Sequence, residues 1–238
     1  VADLDLLTTE FPEDCDVLVI ATPTEDFTDL ETEQIINYIN NGGNILWLNA
    51  ATANAIDLPN VNKILALYGV NPFEVGVIRE TDSSKMVSNS PDLIMPDLGY
   101  SDITEDLYSN GVIFASPTKI NINEDELENL NVEETVLAST SENAYFRNNF
   151  NNSSSTAAEG EETGAFTVGA ELTKTLTEAN EETGEEAKTS TLIIYGDNNF
   201  ASDYQLVDDS QYAAVQLAYN KDLVLNSLAY LSDREEDI

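Results

Sequence analysis

The chain has 238 residues, a length that fits one large domain, or one domain with an elaboration, better than two full domains. Its hydrophobic fraction of 42% is ordinary for a globular protein, but 45 Asp and Glu against 9 Lys and Arg give a formal net charge of −36. This charge repels phosphate backbones and anionic membrane surfaces, so nucleic-acid binding is excluded. The sequence contains no histidine, which removes Ser-His-Asp, Cys-His and histidine-ligated metal chemistry.

The first part of the chain has the pattern of a strand, a helix and a second strand. Residues 16–21, DVLVIA, form a β-branched apolar run that is typical of a strand buried on both faces of a parallel sheet. Thr28 and Glu31 have capping-box spacing and predict a helix that stops at residues 41–43. Residues 44–48, NILWL, predict a second buried strand. The sequence therefore predicts a right-handed βαβ unit and an α/β fold with a mainly parallel sheet.

The later elements follow with weaker patterns. Residues 81–110 are irregular apart from a short helix. Helices are predicted at 61–68, 102–107, 210–219 and 221–231, and strands at 75–78, 112–116, 134–138, 165–172 and 191–196.

Two stretches, 148–163 and 178–190, are rich in Asn, Ser, Thr, Gly and Glu and are predicted to be loops. Residues 151–190 contain nine Glu and two Lys, a composition that fits mobile, solvated connections around one exposed strand. We therefore expect a single α/β domain over residues 1–238, elaborated by an acidic loop and strand region at 148–190.

Candidate ligand-binding residues follow from the expected topology. In open α/β sheets, ligands bind outside the carboxyl ends of the strands. The residues at those positions are Thr22, Pro23 and Thr24 after the first strand, Asn49 and Ala50 after the second, and Asp197 and Asn198 after the last. Of these, Thr22, Thr24, Asn49 and Asp197 are the preferred candidates. Such side chains also cap turns and helices without binding anything, so both interpretations stay open.

Other residue types offer little chemistry. Cys15 precedes the first strand and has no histidine to activate it, which favours a packed or incidental thiol. Trp47 is expected in the core. The run from Asp197 to Asn199 lacks the glycine and the distal glutamate of a calcium loop. We therefore predict no cofactor and no specific metal site, only cations loosely associated with the acidic surface.

The order of these signals matches a known family. Residues 11–50, FPEDCDVLVIATPTEDFTDLETEQIINYINNGGNILWLNA, resemble the auxiliary component of ABC-type transport systems of the gliding-motility kind. Matching pieces recur in YGV at 68–70, DLIMPDLGYSDITEDL at 92–107, IIYGDNNFASD at 193–203 and NKDLVLNSLAYLSDREEDI at the end. The resemblance covers most of the chain.

The resemblance implies a flavodoxin-like three-layer sandwich related to class I glutamine amidotransferase domains. It implies a position on the extracytoplasmic side of the cell membrane, between two membrane helices outside these 238 residues, with an ABC permease and an ATPase as partners. The chain departs from the amidotransferase pattern because it has neither a cysteine elbow nor a histidine, so glutamine hydrolysis is not expected.

Three functional hypotheses result. The first is a non-catalytic, extracytoplasmic auxiliary domain that binds a partner protein or a cell-envelope ligand. The second is a hydrolase that uses carboxylates alone on envelope polysaccharide, which requires two acidic side chains facing one cleft. The third is an acidic surface domain whose charge serves to associate cations.

Overall fold

The computed structural model describes residues 2–9, 11–180, 184–205 and 212–232. Its helices and strands follow in chain order. They are β1 (Val17–Ala21), α1 (Asp29–Asn40), β2 (Asn44–Leu48), α2 (Pro59–Ala66), β3 (Val77–Arg79), β4 (Leu93–Ile94), β5 (Asp97–Leu98), β6 (Phe114–Ala115), α3 (Glu124–Leu130), β7 (Val132–Ser139), β8 (Tyr145–Arg147), β9 (Glu162–Thr163), β10 (Thr167–Thr177), β11 (Lys188–Tyr195) and α4 (Asn220–Leu231).

A six-stranded mixed sheet with the order β1-β2-β11-β10-β7-β5 forms the centre of the molecule. β2 pairs in parallel with both β1 and β11, whereas β10 pairs antiparallel with both β11 and β7. The stretch 178–187 between β10 and β11 is too short for a crossover connection, which explains the change of direction. The α/β class is confirmed, and parallel pairing is confined to the β1-β2-β11 half.

Hydrophobic cores lie on both faces of this sheet. On one face, Ile35 and Ile39 of α1 and Ile64 of α2 pack with Trp47, which is fully buried as expected. On the other face, Leu223 and Leu231 of α4 pack over the sheet with residues of its antiparallel strands. Two small sheets, β3-β8-β9 and β4-β6, lie beside the main one.

The predicted ends of α1 are confirmed. Thr28 Oγ1 accepts a hydrogen bond from Glu31 N at 3.3 Å, and the Glu31 carboxylate accepts one from Thr28 N at 2.8 Å. Gly42, at φ +88°, takes the left-handed conformation that lets the chain turn back into β2. The predicted C-terminal helix is confirmed as α4.

Two predictions of strand burial are wrong. β1 is not buried on both faces, because it is the outermost strand of the sheet and its Val19 is 48% exposed. β10 is not an exposed strand, because it has a neighbour on each side and its residues 168–172 are buried. Apolar composition alone does not separate an edge strand from a central one.

Several shorter elements also differ from the prediction. Residues 212–219 contain only a 3₁₀ turn at Ala214–Gln216, since Ala218 has a φ of +48°, while 210–211 lie outside the described residues. The helix predicted at 102–107 is a single 3₁₀ turn, Glu105–Leu107. The strand predicted at 75–78 begins at Val77, because Gly76 has a φ of +155°. Helix α3 and the short strands β4, β5, β8 and β9 were not predicted.

Candidate functional site

The three parallel strands β1, β2 and β11 end side by side, at what we call the carboxyl end of the sheet. Ala21 of β1 pairs with Leu48 of β2, and Leu48 pairs with Tyr195 of β11. The backbone continues this alignment, since Thr22 N donates to Leu48 O at 2.7 Å and Asn49 N donates to Tyr195 O at 2.9 Å. The topology thus places the loops that begin at Thr22, Asn49 and Gly196 next to one another, as the sequence predicted.

Thr22 has the most constrained backbone of the candidate residues at the carboxyl end of the sheet. Its φ of +43° lies in the left-handed region, which is rare for a β-branched residue. Its hydroxyl donates to Leu48 O at 3.3 Å and accepts from Asn198 Nδ2 at 2.7 Å. Asn198 therefore holds the loop after β1 against the loop after β11.

The carboxylate of Asp197 binds the protein's own backbone. It accepts hydrogen bonds from Ala115 N at 2.6 Å and from Asn199 N at 2.8 Å, and Asn199 Nδ2 in turn donates to Ala115 O at 3.0 Å. Asp197 is fully buried, and burial raises its pKa to about 7 against the pull of these donors. In this conformation Asp197 attaches β6 to the end of β11, which is the capping interpretation of such a residue.

The other two candidates differ in exposure. Asn49, which follows β2, is buried, whereas Thr24 is exposed in the loop that follows β1. The carboxyl end of the sheet therefore brings Thr22, Asn49 and Asn198 together and leaves Thr24 at the surface. Ligand binding by these residues stays a prediction.

Asp26 and Asn60 form a latch that sequence reasoning missed. Helix α2 starts with proline and has no capping side chain of its own. The Asp26 carboxylate supplies that cap, since it accepts from Asn60 N and from Val61 N, both at 3.0 Å, while Asn60 Nδ2 donates to Phe27 O at 2.7 Å. The lone proline at the start of α2 hinted at a missing cap, but nothing in the sequence pointed to an aspartate 34 residues away.

A second polar region surrounds Lys119, which is 6% exposed. Its ammonium lies 2.5 Å from Glu162, 3.1 Å from Glu74 and 4.7 Å from the centre of the Phe146 ring. Burial disfavours the cation, but the two carboxylates outweigh this effect and raise its pKa.

The same region contains a cavity of about 650 Å³, which is also lined by Glu124 and Glu134. Burial and the nearby Glu124 raise the pKa of Glu134. The cavity therefore combines four carboxyl groups with one cation.

Arg147 organises the acidic loop that follows it. Its guanidinium, 2% exposed, forms two hydrogen bonds with Glu161 at 2.9 and 3.0 Å. It also donates to the carbonyl oxygens of Asn152, Ser154 and Thr156. These bonds raise the pKa of Arg147 and lower that of Glu161. The stretch 148–161 is a loop as predicted, but it is held from within by one buried cation.

A cavity of about 660 Å³ lies near the start of β2 and contains Cys15 and Tyr38. The Tyr38 hydroxyl donates to Asn44 O at 3.0 Å, and its ring stacks on Phe11 with centroids 4.3 Å apart. Burial raises the pKa of the Cys15 thiol and so lowers its reactivity. This agrees with the interpretation of Cys15 as a packed thiol.

Among the residues that the structure describes, no group of three or more acidic or cysteine side chains could hold a metal ion. Within the same residues, no helix is both long and apolar enough to cross a bilayer. The polar side chains at the carboxyl end of the sheet bind backbone groups and one another, which holds the loops after β1 and β11 in place.

Comparison with solved structures shows similarity of fold. The N-terminal domain of mmIFT52 matches with a TM-score of 0.56 and 16% identity, over 94% of this chain and 79% of that chain. A ThuA-like protein from Bacteroides uniformis matches with a TM-score of 0.44 and 13% identity, over 93% of this chain and 71% of that one. At 16% identity, the similarity to the mmIFT52 domain concerns the fold alone.

Comparison of sequences identifies the family. No curated protein matches the chain. The model of one protein family, described as an ABC-type uncharacterized transport system, matches residues 1–227. Since the match extends over nearly the whole sequence, the chain belongs to this family of auxiliary components of ABC-type transport systems.

Proposed function

We propose that this chain is a non-catalytic auxiliary domain that binds a protein partner or a cell-envelope ligand on behalf of an ABC-type transporter. The observation that carries this proposal is the carboxyl end of the parallel strands, where Asn198 binds Thr22 and the Asp197 carboxylate binds backbone amides. A ligand at the carboxyl end of these strands would meet the exposed Thr24 beside side chains that already bind one another or the backbone. Membership of the family supports the link to transport.

In its finer form, the proposal places the domain on the extracytoplasmic side of the cell membrane, in a system of the gliding-motility kind. Membrane segments beyond the 238 residues would anchor it beside a permease and an ATPase. The parallel strands β1, β2 and β11, with helices on both faces, support a flavodoxin-like fold of the kind found in glutamine amidotransferase domains. The acidic surface would attract cations loosely.

Affinity capture tests the transport role. The full-length protein, with any membrane segments it has, is purified in mild detergent and its companions are identified by mass spectrometry. We expect an ABC ATPase and a multi-span permease in stoichiometric amounts, and neither in a parallel capture of an unrelated membrane protein. Recovery of the protein without either subunit would contradict the auxiliary role.

The cavity around Lys119 favours a second candidate, the carboxylate-based hydrolase. Four glutamates line it, and Glu134 has the raised pKa that a general acid needs. The test is cleavage of envelope polysaccharide by the wild type and by Glu134→Gln, with exposed Glu128→Gln on α3 as the control. Cleavage that disappears only in Glu134→Gln would establish the hydrolase, whereas no cleavage by the wild type would eliminate it for that substrate.

A further inference from the structure

The two outer strands of the main sheet differ in how they end it. β5 is two residues long and contains Asp97, so it offers little backbone for further pairing. β1 has five residues, VLVIA, without a charge or a proline, and its pairing with β2 contains no bulge. Proteins usually block an edge strand with such features, because an open one pairs readily with other chains.

The free side of β1 follows from its hydrogen bonding. Thr22 N donates to Leu48 O, so the backbone groups of the alternate residues Ile20 and Leu18 also point toward β2. The backbone N–H and C=O groups of Val19 and Ala21 and the C=O group of Val17 therefore point away from the sheet, while the Val17 N–H faces the Cys15 thiol. We call these groups the β1 edge. No other described strand pairs with it.

Apolar side chains accompany the β1 edge on the face covered by α4. Val19 is 48% exposed and Ala21 is also exposed, while Val17 is half-buried. Asn226 and Tyr230 of α4 bind Ile103 O and Glu171, which turns that side of the helix toward β10. The half-buried Val224 and Leu228 lie on the opposite side of the helix and, like Val17 of β1, pack against the margin of the same core. A strand added to β1 would bury its side chains against this apolar strip.

The segments that contain and flank β1 in the sequence are strongly acidic. The first 62 residues, which include β1, α1 and β2, contain 12 Asp and Glu and no Lys or Arg. On α4 the charges of Lys221 and Asp222 cancel. A chain approaching the β1 edge therefore meets a negative potential that favours a basic segment.

We propose that the β1 edge is a docking site for an extended, basic segment of a partner protein, which adds a strand to the sheet. Backbone hydrogen bonds would hold the segment, alternate apolar side chains would cover Val19 and Ala21, and its Lys or Arg residues would face the surrounding carboxylates. A second copy of this chain is disfavoured as the occupant, because each copy carries a net charge of −36. This binding mode does not depend on the transport role, since it concerns the chemistry of the segment alone.

Peptide titration tests the site directly. The probe is a short peptide that alternates valine and lysine, and its controls are the same peptide with glutamate for lysine and one with proline at alternate positions. We expect the basic peptide to bind at least about tenfold more tightly than either control and more weakly as salt rises. Equal binding of the basic and proline peptides would show charge attraction without strand addition and would overturn the proposal.

A matched pair of variants locates the binding. Val19→Pro removes an outward N–H without removing a ladder hydrogen bond, whereas Val19→Thr keeps the backbone and a β-branched side chain. We expect Val19→Pro to weaken binding by about tenfold and Val19→Thr to change it by less than about threefold. Unchanged binding in Val19→Pro, with the fold verified by circular dichroism, would contradict the proposal.

Amide hydrogen exchange supplies an independent readout. In the free protein, the amides of Val19 and Ala21 should exchange faster than that of Ile20, and the basic peptide should protect both. Light scattering should find a monomer. A dimer that Val19→Pro dissociates would identify a second copy as the occupant and would overturn the basic partner.

Discussion

The parallel and antiparallel parts of the molecule are held together by different interactions. The β1-β2 part, with α1 and α2, contains no cation before Lys63 and is stabilised by apolar packing, the capping box at Thr28 and the latch at Asp26. The five ion pairs found among the described residues all lie between Glu74 and Glu162, around cations such as Lys119 and Arg147. The ion pairs of this strongly acidic chain are thus concentrated among its loops and short strands.

This contrast has an electrostatic consequence. In the cation-bearing part, carboxylates are paired internally, so some of the self-repulsion is relieved within the fold. In the N-terminal part, the carboxylates have no basic neighbours in sequence, and their field extends toward the β1 edge. The part with weaker local neutralisation is also the part that presents an open strand.

Removal of Arg147 should lower the free energy of unfolding more than the other substitutions do. Arg147→Met leaves Glu161 and three backbone carbonyls without their donor, so we expect a loss of about 3–5 kcal/mol in the free energy of unfolding. Urea denaturation measures it. Lys85→Met, which removes a more exposed pair with Asp97, serves as the control and should cost less than about 1 kcal/mol. Equal effects of the two substitutions would show that the buried cation has no special role.

Truncation of Ile39 tests the apolar part. Its side chain is fully buried between α1 and the sheet, so Ile39→Ala should cost about 3 kcal/mol through lost packing and a cavity. The loss should be the same at low salt and at about 1 M NaCl, because no ion pair is involved. A loss that shrinks markedly with salt would mean that charge interactions also stabilise this part.

The free energy of unfolding should depend on pH through Asp197, which joins the end of the parallel strand β11 to β6. The folded pKa of Asp197 is about 7, above the ordinary value of 3.8, so between these values the folded chain keeps a proton that the unfolded chain has lost. Raising the pH through that window should therefore lower the free energy of unfolding.

Comparison with Asp197→Asn isolates this effect from the general repulsion among the other carboxylates. The wild type should lose stability relative to Asp197→Asn as the pH rises from about 4 to about 7. Parallel curves for the two proteins would show that Asp197 does not titrate in this range.

The smallest expected effect concerns the helix cap. Thr28→Ala removes the oxygen that accepts from Glu31 N and should cost about 1 kcal/mol. Thermal unfolding measures the loss, with Thr24→Ala in the preceding exposed loop as the control. If both substitutions were neutral, the capping box would contribute nothing to the stability of α1.

Local signals were readable from the sequence, and distant pairings were not. Thr28 and Glu31 are three residues apart, and the apolar runs of β1 and β2 are continuous, so this βαβ unit could be predicted. The edge position of β1 and the central position of β10 depend on strand order, which no local pattern encodes. The partners of Arg147 are largely backbone carbonyls, and these leave no mark in the sequence.

The candidate site was predictable to a similar extent. Parallel topology correctly placed Thr22 and Asn49 at the carboxyl end of the sheet, because the ends of paired parallel strands align. The direction of the Asp197 carboxylate toward Ala115, and the contact between Asn198 and Thr22, depend on loop conformation. Only the folded chain shows that these polar groups bind one another.

Site-specific photocrosslinking in native membranes tests the central claim, that this is a partner-binding domain of an ABC-type system, most directly. A crosslinking residue replaces Val19 in the full-length protein, and one at Leu30, which is similarly exposed at 52%, serves as the control. We predict that position 19 captures a subunit of the transporter through a basic segment, and that position 30 does not. Equal labelling from both positions, or a product containing only this chain, would contradict the account.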